Sequence, residues 1–180
     1  MGANEHGLAA FTVCAHAGFG PVRATGTNGS MVSHLAPDVQ THFMTATAAP
    51  CASLFKPVWL GANLPDTGPV PQGDYDATTL FWRHEVLHRT ILRDYATRIA
   101  MIRDEQATME KHFVEEALNI ATRMPTKRAD FSQKCFHEAV KMEETWLERL
   151  GRQPVRLKNN WLYEYAWQQF NRQAKMPPLV

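Results

Sequence analysis

Residues 84–88 of this 180-residue chain read His-Glu-Val-Leu-His. Histidines four apart on a helix lie one turn apart on the same side, so two imidazoles can reach one metal ion. A glutamate between them can act as general base on a metal-bound water. His84 and His88 are therefore candidate zinc ligands, and Glu85 the candidate base, of a metallopeptidase. Arg89 weighs against this, because it sets a charge directly after the second histidine. No distinct third-ligand motif follows either; Glu105, Glu110, Glu115 and Glu116 are spaced as helix glutamates ordinarily are. The plainer reading is two inner-face histidines bonded to neighbouring carboxylates or carbonyls.

Cys14 and His16 form a second candidate pair. Two apart on a strand, they face the same way, with Cα atoms about 6–7 Å apart. That spacing suits a thiol with an imidazole base, although a buried cysteine more often serves packing. The other cysteines, Cys51 and Cys135, read as structural. Three cysteines without a C-x-x-C pair leave at least one unpaired, which fits reduced thiols in a cytoplasmic setting. Lys56 can line a substrate path, but a solvated surface lysine is the commoner case.

Charge excludes some partners. With 19 Lys+Arg against 18 Asp+Glu, the formal net charge is +1. No excess of either sign is available to hold nucleic acid or an anionic membrane. No apolar run of about 18 residues occurs, and the first residues lack the basic and apolar regions of a signal peptide. A soluble domain without membrane or nucleic-acid partners is expected.

The elements that would position these residues fall into two parts, α+β in class, with strands first and helices after. Residues 8–16 form a short apolar run. Residues 18–29, with four glycines and Pro21, are a loop. Residues 30–35 and 41–47 alternate at period two and are joined by a turn carrying Pro37 and Asp38, so a hairpin is expected. Residues 54–60 contain Pro57, which assigns them to an edge strand or a crossover. Residues 61–78 form a Pro/Gly-rich linker. From 79 to 124 the period becomes 3.6: Leu80, Leu87, Ile91, Tyr95, Ile99, Ile102, Met109, Phe113, Ala117, Ile120 and Met124 share one arc, as do His84 and His88. Arg83, Arg89, Arg93, Asp104 and Glu115 fall outside it. One long helix, or two joined, is expected to stop at Pro125. A second helix would run over 131–150, capped by Asp130 and ended by Gly151. A third would run over 160–175, with Trp161, Tyr165 and Trp167. Residues 1–60 thus form the β-rich part and 79–180 the helical part of one structural unit.

Several runs together resemble a known family. Val13–Gly18 reads V-C-A-H-A-G, residues 29–33 read G-S-M-V-S, residues 43–47 read F-M-T-A-T, and residues 50–57 read P-C-A-S-L-F-K-P. Trp82-Arg83-His84-Glu85 follows a proline-rich loop. In this order they resemble the C-terminal part of the secernin and dipeptidase A peptidases, a branch of the N-terminal-nucleophile (Ntn) hydrolases, over residues 12–150. Residues 1–8, M-G-A-N-E-H-G-L, resemble a strand from the family's N-terminal half.

The resemblance implies a partial Ntn-type layered sheet followed by helices. It implies hydrolysis of dipeptides or small amides without metal or organic cofactor. The family's nucleophile is a processed N-terminal cysteine whose own α-amine is the base. Here the chain reads Met1-Gly2, and Cys14 matches the V-C-x-H-A-G cysteine instead. Asn4 matches a strand near the family's site, but Ala9-Ala10-Phe11 replace the continuation expected after it. Cys14 and Asn4 are therefore the only catalytic candidates the resemblance offers. The expectation is an internally truncated member, inactive alone and open to self-association; a zinc peptidase and a helical interaction module are the alternatives.

Overall fold

The computed structural model describes residues 15–17, 25–156 and 159–179. Within them the chain is α+β: a three-stranded antiparallel sheet and five helices. Strand β1 (Met31–Leu35) and β2 (Gln40–Met44) form the expected hairpin, with Val32 opposite Phe43 and Leu35 opposite Gln40. Strand β3 (Lys56–Val58) adds to β2's other side and lies at the sheet edge, where proline is tolerated. Pro57 pairs with Phe43, and its carbonyl accepts a hydrogen bond from Ser132 Oγ at 2.6 Å. Only Thr41 and Phe43 of β2 are buried, while β1 is open on both faces. The expected strand at 8–16 lies almost wholly outside the described residues, and Ala15–Ala17 are not in a strand.

The long helical stretch is broken into three: α1 (Leu80–Leu92), α2 (Tyr95–Ala100) and α3 (Arg103–Arg123). Thr79 caps α1 by accepting from the Trp82 amide at 3.2 Å. The breaks have identifiable causes. At the end of α1, the Thr90 carbonyl accepts from Arg98 Nη1 at 2.8 Å and the Leu92 carbonyl from Asn159 Nδ2 at 2.8 Å. At the end of α2, the Met101 carbonyl accepts from Arg149 Nη1 at 3.2 Å. Side chains remote in sequence take up carbonyls that helix ends leave open. Apolar periodicity passes through both breaks almost in phase, so it does not show them.

A 3-10 turn, Pro125–Lys127, leads into α4 (Arg128–Gly151). Asp130 is not the cap: it sits in the first turn, and Gly151 is the helix's last residue rather than a stop beyond it. Helix α5 (Trp161–Gln173) is capped by Asn160, which accepts from the Leu162 amide at 2.8 Å.

Helix α4 is the hub, touching α1, α3 and β3. One core gathers Leu87, Ile91, Ile102, Trp146 and Leu150 between α1, α3 and α4. A second gathers Phe43, Trp59, Phe113, Ala117, Phe131 and Cys135 between the sheet, α3 and α4. Between the cores lies a charge that sequence placed at the surface. Lys56 is 1% exposed; its Nζ donates to the Thr45 and Leu54 carbonyls, both at 2.6 Å, and stands over the Phe136 ring. Burial lowers its pKa to about 8, and nearby Glu143 and Glu110 offset only part of the drop. Among the described residues no helix is long and apolar enough to cross a membrane.

The Lys56 shift has a direct consequence for stability. The folded state binds fewer protons than the unfolded chain between pH 8 and the ordinary lysine pKa of 10.5. This lysine's contribution therefore rises with pH across that window. Urea unfolding of wild type and Lys56→Met from pH 7.5 to 10.5 isolates it, because other titrations cancel in the difference. Wild type is expected to gain up to about 3 kcal/mol relative to the variant across the window. Parallel pH profiles for the two proteins would contradict it.

Candidate functional site

Helix α1 turns Phe81, Trp82, Glu85, His88 and Arg89 toward one side, where α5 presents Trp167, Phe170 and Ala174. Between them lies a cavity of about 310 Å³, closed further by Ala15–Ala17, Gly26–Asn28 and Ala48–Ala49. Thr27 knits these remote pieces together. Its amide donates to the Ala15 carbonyl at 3.0 Å, its hydroxyl accepts from the Ala15 amide at 2.9 Å, and its carbonyl accepts from the Ala49 amide at 3.0 Å. Ala46 and Ala49 both have positive φ, at 54° and 46°, unusual for non-glycine residues. Held strain of this kind gathers at functional sites. On the α1 side, Trp82 Nε1 donates to the Gln72 carbonyl at 3.0 Å, fixing the ring.

Glu85 organises the charged side of the cavity. One oxygen lies 2.9 Å from His88 Nδ1, and the other accepts from Arg89 Nε at 2.7 Å. Arg89 Nη1 donates in turn to Asn171 Oδ1 of α5 at 2.9 Å. The guanidinium lies between the Trp82 and Trp167 rings, 5.5 and 5.4 Å from their centres. Sequence placed Arg89 on the solvent side of the helix; the structure buries it, because Glu85 and two indole faces replace its water. Burial alone would push the Glu85 carboxyl up. The charge and hydrogen bond of His88, then those of Arg89, outweigh it and hold the group down at about 2.

Three buried polar atoms on the cavity wall have no partner among the described residues: His16 Nδ1, His88 Nε2 and Trp167 Nε1. Such atoms are expensive to bury and point to something polar that completes them. Indole Nε1 is a donor only, whereas His88 Nε2 donates when the ring is charged and accepts when it is neutral with its proton on Nδ1. The wall therefore offers an imidazole nitrogen and an indole donor amid aromatic surface. A ligand that supplies an N–H and an oxygen acceptor, with an apolar side group, is complementary to it.

The His-Glu-Val-Leu-His run is on a helix, as its spacing requires; each ring meets a carboxylate through Nδ1 and leaves Nε2 without a partner among the described residues. His84 Nδ1 lies 3.0 Å from Glu143 Oε1 of α4, whereas His88 is held by Glu85. Both oxygens of Glu85 are occupied, and a carboxyl held near 2 is a weak base at neutral pH. Among the described residues no group of three or more His, Cys, Asp or Glu side chains is arranged to hold a metal ion. Cys14 and Asn4 lie outside the described residues. His16, the proposed partner of Cys14, is found 3.5 Å from Cys51 Sγ, through Nε2.

Sequence reasoning missed Arg89 and Trp167 as members of the site, and Cys51 as a neighbour of His16. Arg89's position four after Glu85 was a readable signal for an ion pair; nothing local pointed to Cys51. The aromatic residues of α5 divide: Tyr163 is buried, Trp167 and Phe170 face the cavity, and Trp161 and Tyr165 are exposed. No known protein family, curated protein or solved structure matches the chain.

Two outcomes follow. Glu85's depressed pKa means that its stabilising contribution is complete above pH 4.5 and is lost as pH falls from there toward 2. Glu85→Gln is expected to lower unfolding free energy by about 3 kcal/mol at pH 7, and by much less at pH 2.5. Equal losses at both pH values, measured by urea titration, would contradict this. Dialysis against a strong chelator is expected to leave the melting temperature unchanged. A fall of several degrees restored by zinc, and absent in His84→Ala, would reinstate the metal reading.

Proposed function

We propose that this chain is the C-terminal part of a secernin- or dipeptidase A-type peptidase, and that its cavity binds a peptide unit of dipeptide size. The observation that carries the reading is the presence of two unpartnered polar atoms, His88 Nε2 and Trp167 Nε1, on one cavity wall. A peptide or amino-carboxylate group supplies both an N–H and an oxygen. The volume of about 310 Å³ is at the small end for ligand sites, which suits a dipeptide and not a longer chain. The aromatic walls, Phe81, Trp82, Trp167 and Phe170, favour an apolar side chain. The family resemblance supports the same substrate class, because its Arg-His-Glu run opens the helix that builds the cavity.

The proposed role is binding rather than turnover. Hydrolysis in this family uses an N-terminal cysteine that also brings its own amine base, and no described residue of the cavity does so. Cys135 cannot substitute, since burial raises its thiol pKa to about 12. The same reading carries a cytoplasmic location and an Ntn-type ancestry for the small sheet.

Calorimetric titration with an apolar dipeptide tests the proposal. Binding is expected, with no release of free amino acids. Trp167→Phe, which keeps the ring and removes the donor, and His88→Phe are each expected to weaken it about tenfold, the worth of one buried hydrogen bond. Unchanged affinity in both variants would remove the cavity as the site. Hydrolysis that is abolished by thiol alkylation would overturn the binding-only role.

A helical interaction module is the second reading, favoured by the exposure of Trp161, Leu162 and Tyr165 on α5 and of Val32 and Leu35 on open strand β1. The occupant expected is a second copy of the chain. Light scattering at rising concentration should then exceed the monomer mass of 20.4 kDa. A constant monomer mass would remove it.

A further inference from the structure

Three nitrogens on the cavity wall are buried without a partner among the described residues: His16 Nδ1, His88 Nε2 and Trp167 Nε1. Their rings are close. The His88 ring stands 5.7 Å from that of Trp167, at right angles to it, and 6.3 Å from that of His16. His88 itself is only 7% exposed. Which of these nitrogens carries hydrogen follows from each ring's other contacts. Indole Nε1 is always a donor. His16 Nε2 lies 3.5 Å from Cys51 Sγ; when it takes the thiol hydrogen, Nδ1 holds the ring's own proton and donates. His88 Nδ1 faces Glu85, whose carboxyl is held at about 2 and is an acceptor only at neutral pH. Nδ1 must therefore carry a proton, and a second proton on the ring goes to Nε2 and makes it a donor as well.

The wall's own anion is spent. Glu85 is the one carboxylate among the described lining residues, and both its oxygens are taken, by His88 and Arg89. Arg89 already balances its charge. A second proton on His88 thus leaves one buried positive charge without a counterion, which burial opposes. A carboxylate entering beside the ring supplies that counterion and favours the charged form. The charged and titratable groups that face His88 are Glu85 and Arg89 from α1 and His16 from residues 15–17. Helix α5 brings Trp167, Phe170 and Gln173 to the cavity and no charged group.

We propose that the cavity holds its ligand by a carboxylate terminus, with Trp167 Nε1 and protonated His88 Nε2 donating to its oxygens. On the peptide reading of the cavity, on which this rests, the end held is the C-terminus. The rings of Phe81, Trp82 and Phe170 are then left for the adjoining side chain. Binding takes up a proton from solvent as His88 becomes charged. Affinity for a carboxylate therefore falls as pH rises through the range in which histidine loses its charge, whereas affinity for an uncharged terminus does not.

Calorimetric titration of the whole chain with N-acetyl-phenylalanine and with its amide tests this. The two differ only at the terminus, and neither has another group that titrates near neutrality. At pH 6.5 the acid is expected to bind at least about tenfold more tightly, as hydrogen bonds to a charged group do. In Trp167→Phe, which keeps a ring in place, that preference should largely disappear; an unchanged preference would overturn the proposal. The wild-type protein gives a second readout that no variant confounds. At pH 7.5 the heat of binding the acid should differ between phosphate and Tris buffers, because a proton is taken from the buffer, and the heat of binding the amide should not. Equal affinity for acid and amide, or no proton uptake with the acid, would overturn the proposal and leave the peptide reading standing. Binding of an unblocked apolar dipeptide without binding of N-acetyl-phenylalanine would also overturn it, since the amine end would then be the one held. If none of the three binds, the peptide reading falls with it.

Discussion

Helix α1 is held at one rotation about its axis by buried polar contacts to α4 and α5. His84 meets Glu143 of α4 at 3.0 Å on its inner side, and Glu143 shares the field of the buried Lys56. One residue further round, Glu85 is buried against Arg89 and His88. A turn of the helix in either direction would part His84 from the buried Glu143 of α4 and Arg89 from Asn171 of α5, leaving buried polar groups without partners. Apolar packing alone is more forgiving, since Leu and Ile tolerate small rotations. These contacts to α4 and α5 therefore set the register in which Leu87 and Ile91 reach the core and Trp82, His88 and Arg89 reach the cavity.

The same pairs decide the cavity's electrical character. Glu85 and Arg89 neutralise each other within the wall, and the guanidinium is further screened by two indole rings. What remains exposed to a ligand is directional rather than charged: an imidazole nitrogen, an indole N–H and aromatic faces. Such a wall discriminates by hydrogen-bond pattern and shape and gives little long-range attraction.

Sequence periodicity located what depends on neighbouring residues. The β1–β2 hairpin, the edge position of the Pro57 strand and the apolar arc of the helices all rest on local spacing, and all are present. Periodicity could not show where the arc is cut, because the groups that end α1 and α2 are Arg98, Asn159 and Arg149, contributed from elsewhere in the chain. Two charged residues were placed at the surface for the same reason. Lys56 and Arg89 are buried because β3, α4 and α5 bring carbonyls, a carboxamide and ring faces to them, and none of these is adjacent in sequence. The candidate site was half legible: the His84–His88 run marked the right helix, but its chemistry changed once each ring's partner was known.

That change follows from the carboxylates. In a metal site the two imidazoles must keep a nitrogen apiece for one ion, and the glutamate must keep a lone pair for water. Here each imidazole keeps its Nε2, but Glu85 spends both oxygens on His88 and Arg89, and among the described residues no third ligand is arranged beside them. Arg89 is decisive, because a permanent cation one turn beyond Glu85 will outcompete water for its second oxygen at any pH where the carboxyl is ionised. The residue directly after the second histidine thus converts a hydrolytic motif into a clamp. The clamp then leaves His88 Nε2 as the one nitrogen of that ring open to the cavity, which is the feature a ligand would read.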